Sequence, residues 1–364
     1  MLAVMYQEGL QEYDFGPGHP FQGNRFKIFP EFLKNTLPED DNYRFFSGEP
    51  VGDEDLRLIC SQEYIDFSRE YYRAAHKGVV MSPGQFAIFH SMDNMPQGRP
   101  GNVEEAARII IGLEKRACEM VMAGEFPKVL CFGGMHHAKP DYGEGFCIYN
   151  DVAFTARHLV EKYGLERVLV LDTDAHAGNG TAEYFYEDNK VLFIDLHQDP
   201  RTLYPGTGFA SDLGSGAGLG YTVNIPMSPG AGDRSYEIAF NELVEPIVQK
   251  FQPQFIIRNG GSDPHFTDEL TSLGLTTNGF NMIGRKVRKL AEICGGRHID
   301  IIGSGYNLKI LPYAWMSLIA GFADFKVKLN PPINESIEDR AVSQTEKVIE
   351  EVKRNLRKIH KYFD

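Results

Sequence analysis

The sequence predicts an α/β protein whose mostly parallel sheet is covered by helices on both faces. Two observations predict it. Short apolar runs recur through the middle of the chain, and most end in Gly, Asp or His. Several are separated by segments of helix length: Asn150–Tyr163, Ser235–Phe251 and Gly279–Cys294. Strands buried on both faces read as continuous apolar runs, and their alternation with helices marks a parallel sheet.

The runs are Val129–Gly134, Arg167–His176, Val191–His197, Tyr221–Met227, Phe255–Gly261 and Ile299–Gly305. Ahead of them the N-terminal third reads as helix-rich. Within Asn102–Ala123, Ala106, Ile109, Ile110, Leu113, Ala117 and Val121 recur at helical spacing, with charges between them. At the other end, Ser343 and Glu346 have the spacing of a capping box. They precede an apolar stripe of Val348, Ile349, Val352, Leu356 and Ile359. Residues 1–335 read as a single catalytic domain. Residues 336–364 read as an amphipathic helix packed on it, with partner binding as the alternative use.

Composition narrows the class. The 364 residues are 42% hydrophobic and 24% charged, which suits a globular protein with a sizeable core. A net charge of −13 argues against binding nucleic acid and favours cationic partners. The five cysteines are scattered without a CxxC pair, so a reducing compartment is expected. Met1–Leu10 carries Glu8 and lacks the apolar core of a signal peptide, and no run is long enough to span a membrane. The chain reads as cytoplasmic, and an oligomer is left open.

Ligands of parallel sheets sit beyond the carboxyl ends of the strands. His136, His137, Asp174, His176, His197, Asp263 and Tyr306 follow such ends and are expected to converge. The segment Asp172-Thr173-Asp174-Ala175-His176 is the densest. Strand alternation puts Asp172, Asp174 and His176 on one side. Buried together, two carboxylates and an imidazole call for a cation, and a set without cysteine suits a catalytic Zn²⁺ or Fe²⁺. Asp263, at the end of its own run, is the best placed third ligand. Alone, Asp-x-Asp-x-His also fits a cap or a surface turn. In Gly133-Gly134-Met135-His136-His137 the adjacent histidines fit either an acid–base pair or structural roles. In Gly303-Ser304-Gly305-Tyr306 the tyrosine fits either a proton donor or a packing residue. The glycine-rich Gly214–Gly220 lacks the lysine and spacing of a phosphate loop and reads as a plain loop. Cys147 reads as a small buried hydrophobe.

Taken together, six separated motifs resemble the histone deacetylase superfamily. They are Gly-Gly-Met-His136-His137, Gly145-Phe146-Cys147, Asp172-Thr-Asp174-Ala-His176, Tyr204-Pro205-Gly206-Thr207-Gly208, Gly-Gly-Ser-Asp263 and Gly-Ser-Gly-Tyr306. Gly18-His19-Pro20 followed by Arg25 is similar to that family's opening segment, and the resemblance runs from about Tyr13 to about Ala320. The phrase Tyr13-Asp-Phe-Gly-Pro-Gly-His-Pro-Phe21 looks closest to the acetoin-utilisation and other prokaryotic branches.

The resemblance implies a single-domain, arginase-like fold with a mostly parallel sheet of about eight strands. It also implies roles. Asp174, His176 and Asp263 match the zinc ligands, and His137 the general base and acid. His136 matches the histidine that positions the water, oriented by Asp172. Tyr306 matches the group that polarises the substrate carbonyl. Asp172, Asp174 and His176, with backbone at Asp195 and Leu196, match a K⁺ or Na⁺ site, and Phe185, Asp188, Val191 and Tyr221 match a second. Phe146 and Tyr204, with Gly145, match the acyl-lysine channel, Leu270 its rim, and Asp93 an aspartate that grips substrate backbone. Three positions depart from the pattern. Ala177 replaces a second histidine, Asn179 replaces the aspartate that orients His137, and Tyr204 replaces a phenylalanine.

These residues imply removal of acetyl or other acyl groups from lysine side chains of proteins or peptides. Deacetylation of small acetylated amines, such as acetylpolyamines, is the alternative. A non-catalytic acyl-lysine binding protein is a third reading, and the intact His136, His137, Tyr306 and metal trio argue against it.

Overall fold

The computed structural model describes residues 1–364 apart from Asp40, Val80, His360 and Asp364. Among the described residues, one sheet holds eight strands: β1 (Leu2–Met5), β2 (Tyr43–Phe46), β3 (Lys128–Phe132), β4 (Val168–Asp172), β5 (Val191–Gln198), β6 (Thr222–Met227), β7 (Phe255–Gly260) and β8 (His298–Ile302). All pair in parallel, in the order β2-β1-β3-β8-β7-β4-β5-β6. The central strands are buried along their whole length, as continuous apolar runs require. Helices Val103–Met122 and Asp151–Tyr163 pack on each other, the first also on β3 and the second on β4 and β7. Helices Thr277–Ala291 and Leu311–Ala323 form a second tightly packed pair.

The strand order places the site. The chain forms β3, continues to β4, β5 and β6, and only later inserts β7 and β8 between β3 and β4. The loops leaving β3, β8, β7 and β4 therefore stand side by side, as expected at a topological switch point. They approach closely. A Cβ on Gly303, just past β8, would lie 1.8 Å from the carbonyl oxygen of Gly133, just past β3.

The expected strands and helices occur close to their predicted bounds, with three differences. β1 and β2 lie in the third that reads as helical. They are only four residues long, too short for a period to show, and tertiary pairing defines them. Ser235–Phe251 is not a regular helix. A π-helical turn, Phe240–Val244, joins Asp233–Ala239 to Glu245–Phe251. Pro246 has no N–H for the carbonyl four residues back, and a π turn accommodates that loss. The capping box does not form. The last helix, Val342–Lys358, has Ala341 as its N-cap with no side-chain bond, and Ser343 lies inside the helix. That helix rests against β6 and the helix Asp233–Ala239.

A buried ion pair ties the centre of the sheet to the loop after β4. Arg258 on β7 donates from Nε to Asp300 Oδ2 on β8 at 3.1 Å, and from Nη1 to Thr173 Oγ1 at 3.2 Å. Asp300→Ala leaves this guanidinium without its carboxylate, and removing one partner of a buried pair costs about 3–5 kcal/mol. Urea unfolding is expected to show that loss. A variant within 1 kcal/mol of the parent, as an order-of-magnitude threshold for a weak surface pair, contradicts this bracing role.

Candidate active site

Asp172 ends β4, and the chain then turns instead of continuing as a strand. The backbone N–H of Asp174 donates to Asp172 Oδ1 at 3.0 Å, and that of His176 donates to Asp174 Oδ1 at 2.8 Å. The three side chains therefore gather through side-chain-to-backbone turns, and not through the strand alternation expected from sequence. Asp263, from the loop after β7, completes the group. His176 Nδ1 lies 3.2 Å from Asp174 Oδ1 and 3.1 Å from Asp263 Oδ2. Among the described residues, donor atoms of Asp174, His176 and Asp263 all lie within 4.8 Å of one another, and all three residues are buried.

The electrostatics fit a cation. Burial and the charge of Asp174 push Asp263 up to about 8. Burial opposes the imidazolium of His176, yet its bonds to the two carboxylates outweigh this and raise it to about 10. Two carboxylate oxygens and one imidazole nitrogen form the oxygen/nitrogen donor set of a catalytic divalent metal, which leaves positions open for water and substrate. Ser304 Oγ donates to Asp263 Oδ1 at 2.8 Å and fixes that carboxylate.

The loop after β3 brings the paired histidines against this group, their ring centroids 4.3 Å apart. Asp151 holds the loop, accepting from the N–H groups of Gly134 at 2.6 Å and Met135 at 2.7 Å. His136 Nδ1 meets Asp172 Oδ2 at 2.8 Å, and His137 Nδ1 meets Asn179 Oδ1 at 2.7 Å. Their environments diverge. Burial opposes a charge on His136, but Asp172 and Asp174 override it and raise its pKa to about 9. Burial and the neighbouring His136 and His176 hold His137 well below the usual histidine value. Such divergence sets a charged imidazolium beside a neutral imidazole.

Tyr306 stands across from the histidines, its ring 6.4 Å from His176 and 6.1 Å from Phe146. Burial raises its hydroxyl well above the usual tyrosine value, so the group keeps a proton to donate. Asp268 accepts from its backbone N–H at 2.8 Å. A narrow cavity is lined by Met135, His136, His137, Phe146, Asp174, His176 and Tyr306, among others. Phe146 adopts φ +66° behind Gly145, and a Cβ on Gly145 would lie 2.3 Å from the His137 ring. Tyr204 covers His137 at 5.2 Å between centroids and is 44% exposed; Leu270 is 40% exposed. Both thus lie on the solvent side. Asp93 Oδ2 accepts from the Gly145 N–H at 3.0 Å, so part of its carboxylate holds this turn.

His197 does not converge with the others. It lies within β5, 3.0 Å from Asp195 Oδ1, and its Nε2 pairs with the Gly208 carbonyl at 2.9 Å, which pins the loop carrying Tyr204. Asp195 also accepts from the Gly178 N–H at 2.9 Å. Of the remaining residues matched to cation sites, the carbonyl of Phe185 accepts from Asp188 N–H at 3.1 Å and that of Tyr221 from Phe193 N–H at 2.8 Å. Leu196 and Val191 lie on β5. Sequence reasoning missed Asp151, Glu144 and Asn259. Asn259 Nδ2 donates to Asp172 Oδ2 at 2.9 Å. Its position at the end of β7, just before Gly260-Gly261-Ser262-Asp263, was the available signal.

A buried two-carboxylate, one-imidazole group beside paired histidines and a tyrosine suits a metal-dependent hydrolase. The comparisons agree and narrow the class. Residues 19–322 match the histone deacetylase domain. A probable deacetylase of Archaeoglobus fulgidus is 35% identical over 375 aligned positions, covering 100% of this chain and 99% of the relative. The acetoin utilization protein AcuC of Staphylococcus aureus (strain COL) is 34% identical over 88% of this chain and 82% of its own length. The crystal structure of the HDA15 HD domain superposes with a TM-score of 0.82 at 25% identity, covering 98% of this chain and 94% of that one. The chain belongs to the histone deacetylase family and is a deacetylase.

Asp263→Ala removes one of the three candidate ligands and leaves Ser304 Oγ without its acceptor. Elemental analysis after dialysis against zinc is expected to find about one metal per parent chain and well under a tenth in the variant, the upper range of a 10–100-fold affinity loss serving as a floor for ligand removal. Equal metal content in both contradicts the assignment.

Proposed function

We propose that this deacetylase uses zinc to hydrolyse acetyl-lysine side chains of proteins or peptides. One observation carries the reading. A buried group of Asp174, His176 and Asp263 lies beside a neutral histidine and a protonated tyrosine, and aromatic side chains separate it from an exposed rim at Tyr204 and Leu270. A long, slim, uncharged acyl-lysine fits such a passage, while the peptide backbone stays outside.

When bound, zinc lowers the pKa of a coordinated water from about 15.7 to about 7 and polarises the amide carbonyl. Asp174, His176 and Asp263 would hold it. His137 takes the water's proton at Nε2, the nitrogen not engaged by Asn179, and returns a proton to the departing amine. His136, oriented by Asp172, positions the water. The Tyr306 hydroxyl donates to the oxygen that becomes negative as the amide is attacked. Phe146 and Tyr204 keep bulk water from the reacting carbonyl, and Asp93 is the candidate grip on substrate backbone. The two monovalent cation sites, at Asp172, Asp174, His176, Asp195 and Leu196 and at Phe185, Asp188, Val191 and Tyr221, are part of the same proposal. So is the reading of residues 336–364 as an amphipathic helix packed on the domain, of which His360 and Asp364 lie outside the described residues.

One observation favours small acetylated amines as the second reading. Asp93 lies at the turn that carries Phe146, accepting from the Gly145 N–H at 3.0 Å, and an acidic group there suits a distal ammonium. Comparing a zinc-loaded sample on an acetyl-lysine peptide and on an acetylated polyamine decides between them. Preference for the peptide supports the first reading, and preference for the polyamine replaces it. Inactivity on both with metal bound favours a binding protein.

Tyr306→Phe is expected to lower kcat by roughly 10²–10³-fold, the scale of one lost oxyanion donor. Steady-state kinetics on the acetyl-lysine peptide measures it, and unchanged turnover removes Tyr306 from the mechanism.

A further inference from the structure

The residue that orients the proton-transfer histidine is an amide, and an amide is ambiguous. Asn179 offers an acceptor through Oδ1 and a donor through Nδ2, whereas a carboxylate in its place only accepts. With Oδ1 toward His137, the ring must carry its proton on Nδ1, which leaves a lone pair on Nε2 toward the cavity. With Nδ2 toward His137, the ring proton must sit on Nε2, and the base is lost.

Glu144 resolves the ambiguity. Its Oε1 lies 2.6 Å from Asn179 Nδ2, and a carboxylate accepts but does not donate. Rotating the Asn179 amide would place its oxygen against this carboxylate at the same separation. Glu144 is itself held. Lys139 Nζ lies 3.0 Å from the same oxygen, and the Glu144 side chain is 14% exposed. Its carbonyl accepts from the Cys147 N–H at 3.0 Å, closing the turn whose Gly145 packs on the His137 ring. The lock has work to do here. Asn179 also lines a cleft of about 380 Å³ beside Ala177 and Gly208, so packing does not hold its amide on that side.

We infer that Glu144 is a positioning residue: it locks the side-chain amide of Asn179 and thereby sets the tautomer of His137 that can accept a proton. A carboxylate two hydrogen bonds away thus performs the orienting task that an aspartate at position 179 would perform directly. The inference rests on His137 as the proton-transfer group, and the two can fail separately. His137→Ala with normal turnover overturns that reading, whereas the lock is tested on the ring itself.

The experiment combines long-range ¹⁵N spectra of His137 in the zinc-loaded protein with kinetics of Glu144→Leu, Asn179→Asp and the double variant. The parent is expected to show a protonated Nδ1 and a bare Nε2. Glu144→Leu is expected to show a mixture or the opposite tautomer, with kcat down ~10–100-fold, part of the ~10²–10⁴-fold that proton transfer contributes. Its KM should stay within about threefold and its zinc content at parent level. Adding Asn179→Asp restores an acceptor-only partner, so the double variant is expected to recover to within about threefold of the parent. Asn179→Asp alone sets two carboxylates against each other and is expected to lose activity that Glu144→Leu returns. Should Glu144→Leu not fold, Glu144→Ala carries the same spectral readout. An unchanged tautomer without the Glu144 carboxylate, unchanged kcat, or no recovery in the double variant overturns the lock.

Discussion

Two buried carboxylates and an imidazole within 4.8 Å form the constraint on which the rest of this structure depends. Buried charge without compensation is among the most costly arrangements a protein can hold. The group is consistent with a divalent metal site: such a cation would satisfy all three donors at once, and the surrounding hydrogen bonds hold them in place. Much of the centre of the fold serves that rigidity. The turn bonds from Asp172 and Asp174 shape the loop after β4, and Arg258 pins Thr173 within it. Ser304 fixes Asp263 from the loop after β8.

The histidines depend on the same group for their difference in character. His136 lies among carboxylates and is stabilised as a cation. His137 is one residue away, but it faces His136, His176 and a neutral amide, so it is stabilised without charge. One dipeptide therefore holds two protonation preferences through environment alone. The orienting partners extend outward: Asn259 behind Asp172, Glu144 behind Asn179, Asp151 under the loop that carries both rings. Such partners fix geometry to the tolerance that catalysis demands.

The three departures from the family pattern group on one side of the site. Ala177 and Asn179 both line the cleft beside the Tyr204 loop, and Tyr204 covers His137 from solvent. A smaller side chain, a neutral amide and an added hydroxyl thus change one wall together. The opposite wall is built from Phe146, Tyr306 and the Asp174–His176–Asp263 group.

By itself the sequence determined which strands are buried, because a strand covered on both faces must be apolar along its length. It also determined which residues end those strands, and Asp174, His176, Asp263, His136, His137 and Tyr306 were legible as a set on that ground. It did not show β1 and β2, whose four-residue runs carry no period, nor the failure of the Ser343 cap. His197 was misread because a strand end does not say toward which face its side chain turns. Only the tertiary structure decided that the chain inserts β7 and β8 between β3 and β4. That insertion brings Asp263 to His176 across 87 residues (263 − 176). It likewise decided that Glu144 meets Asn179 and that Asn259 meets Asp172. Hydrogen bonds between residues distant in sequence leave no local pattern, since any loop offers an amide or a carboxylate and only the fold chooses its partner.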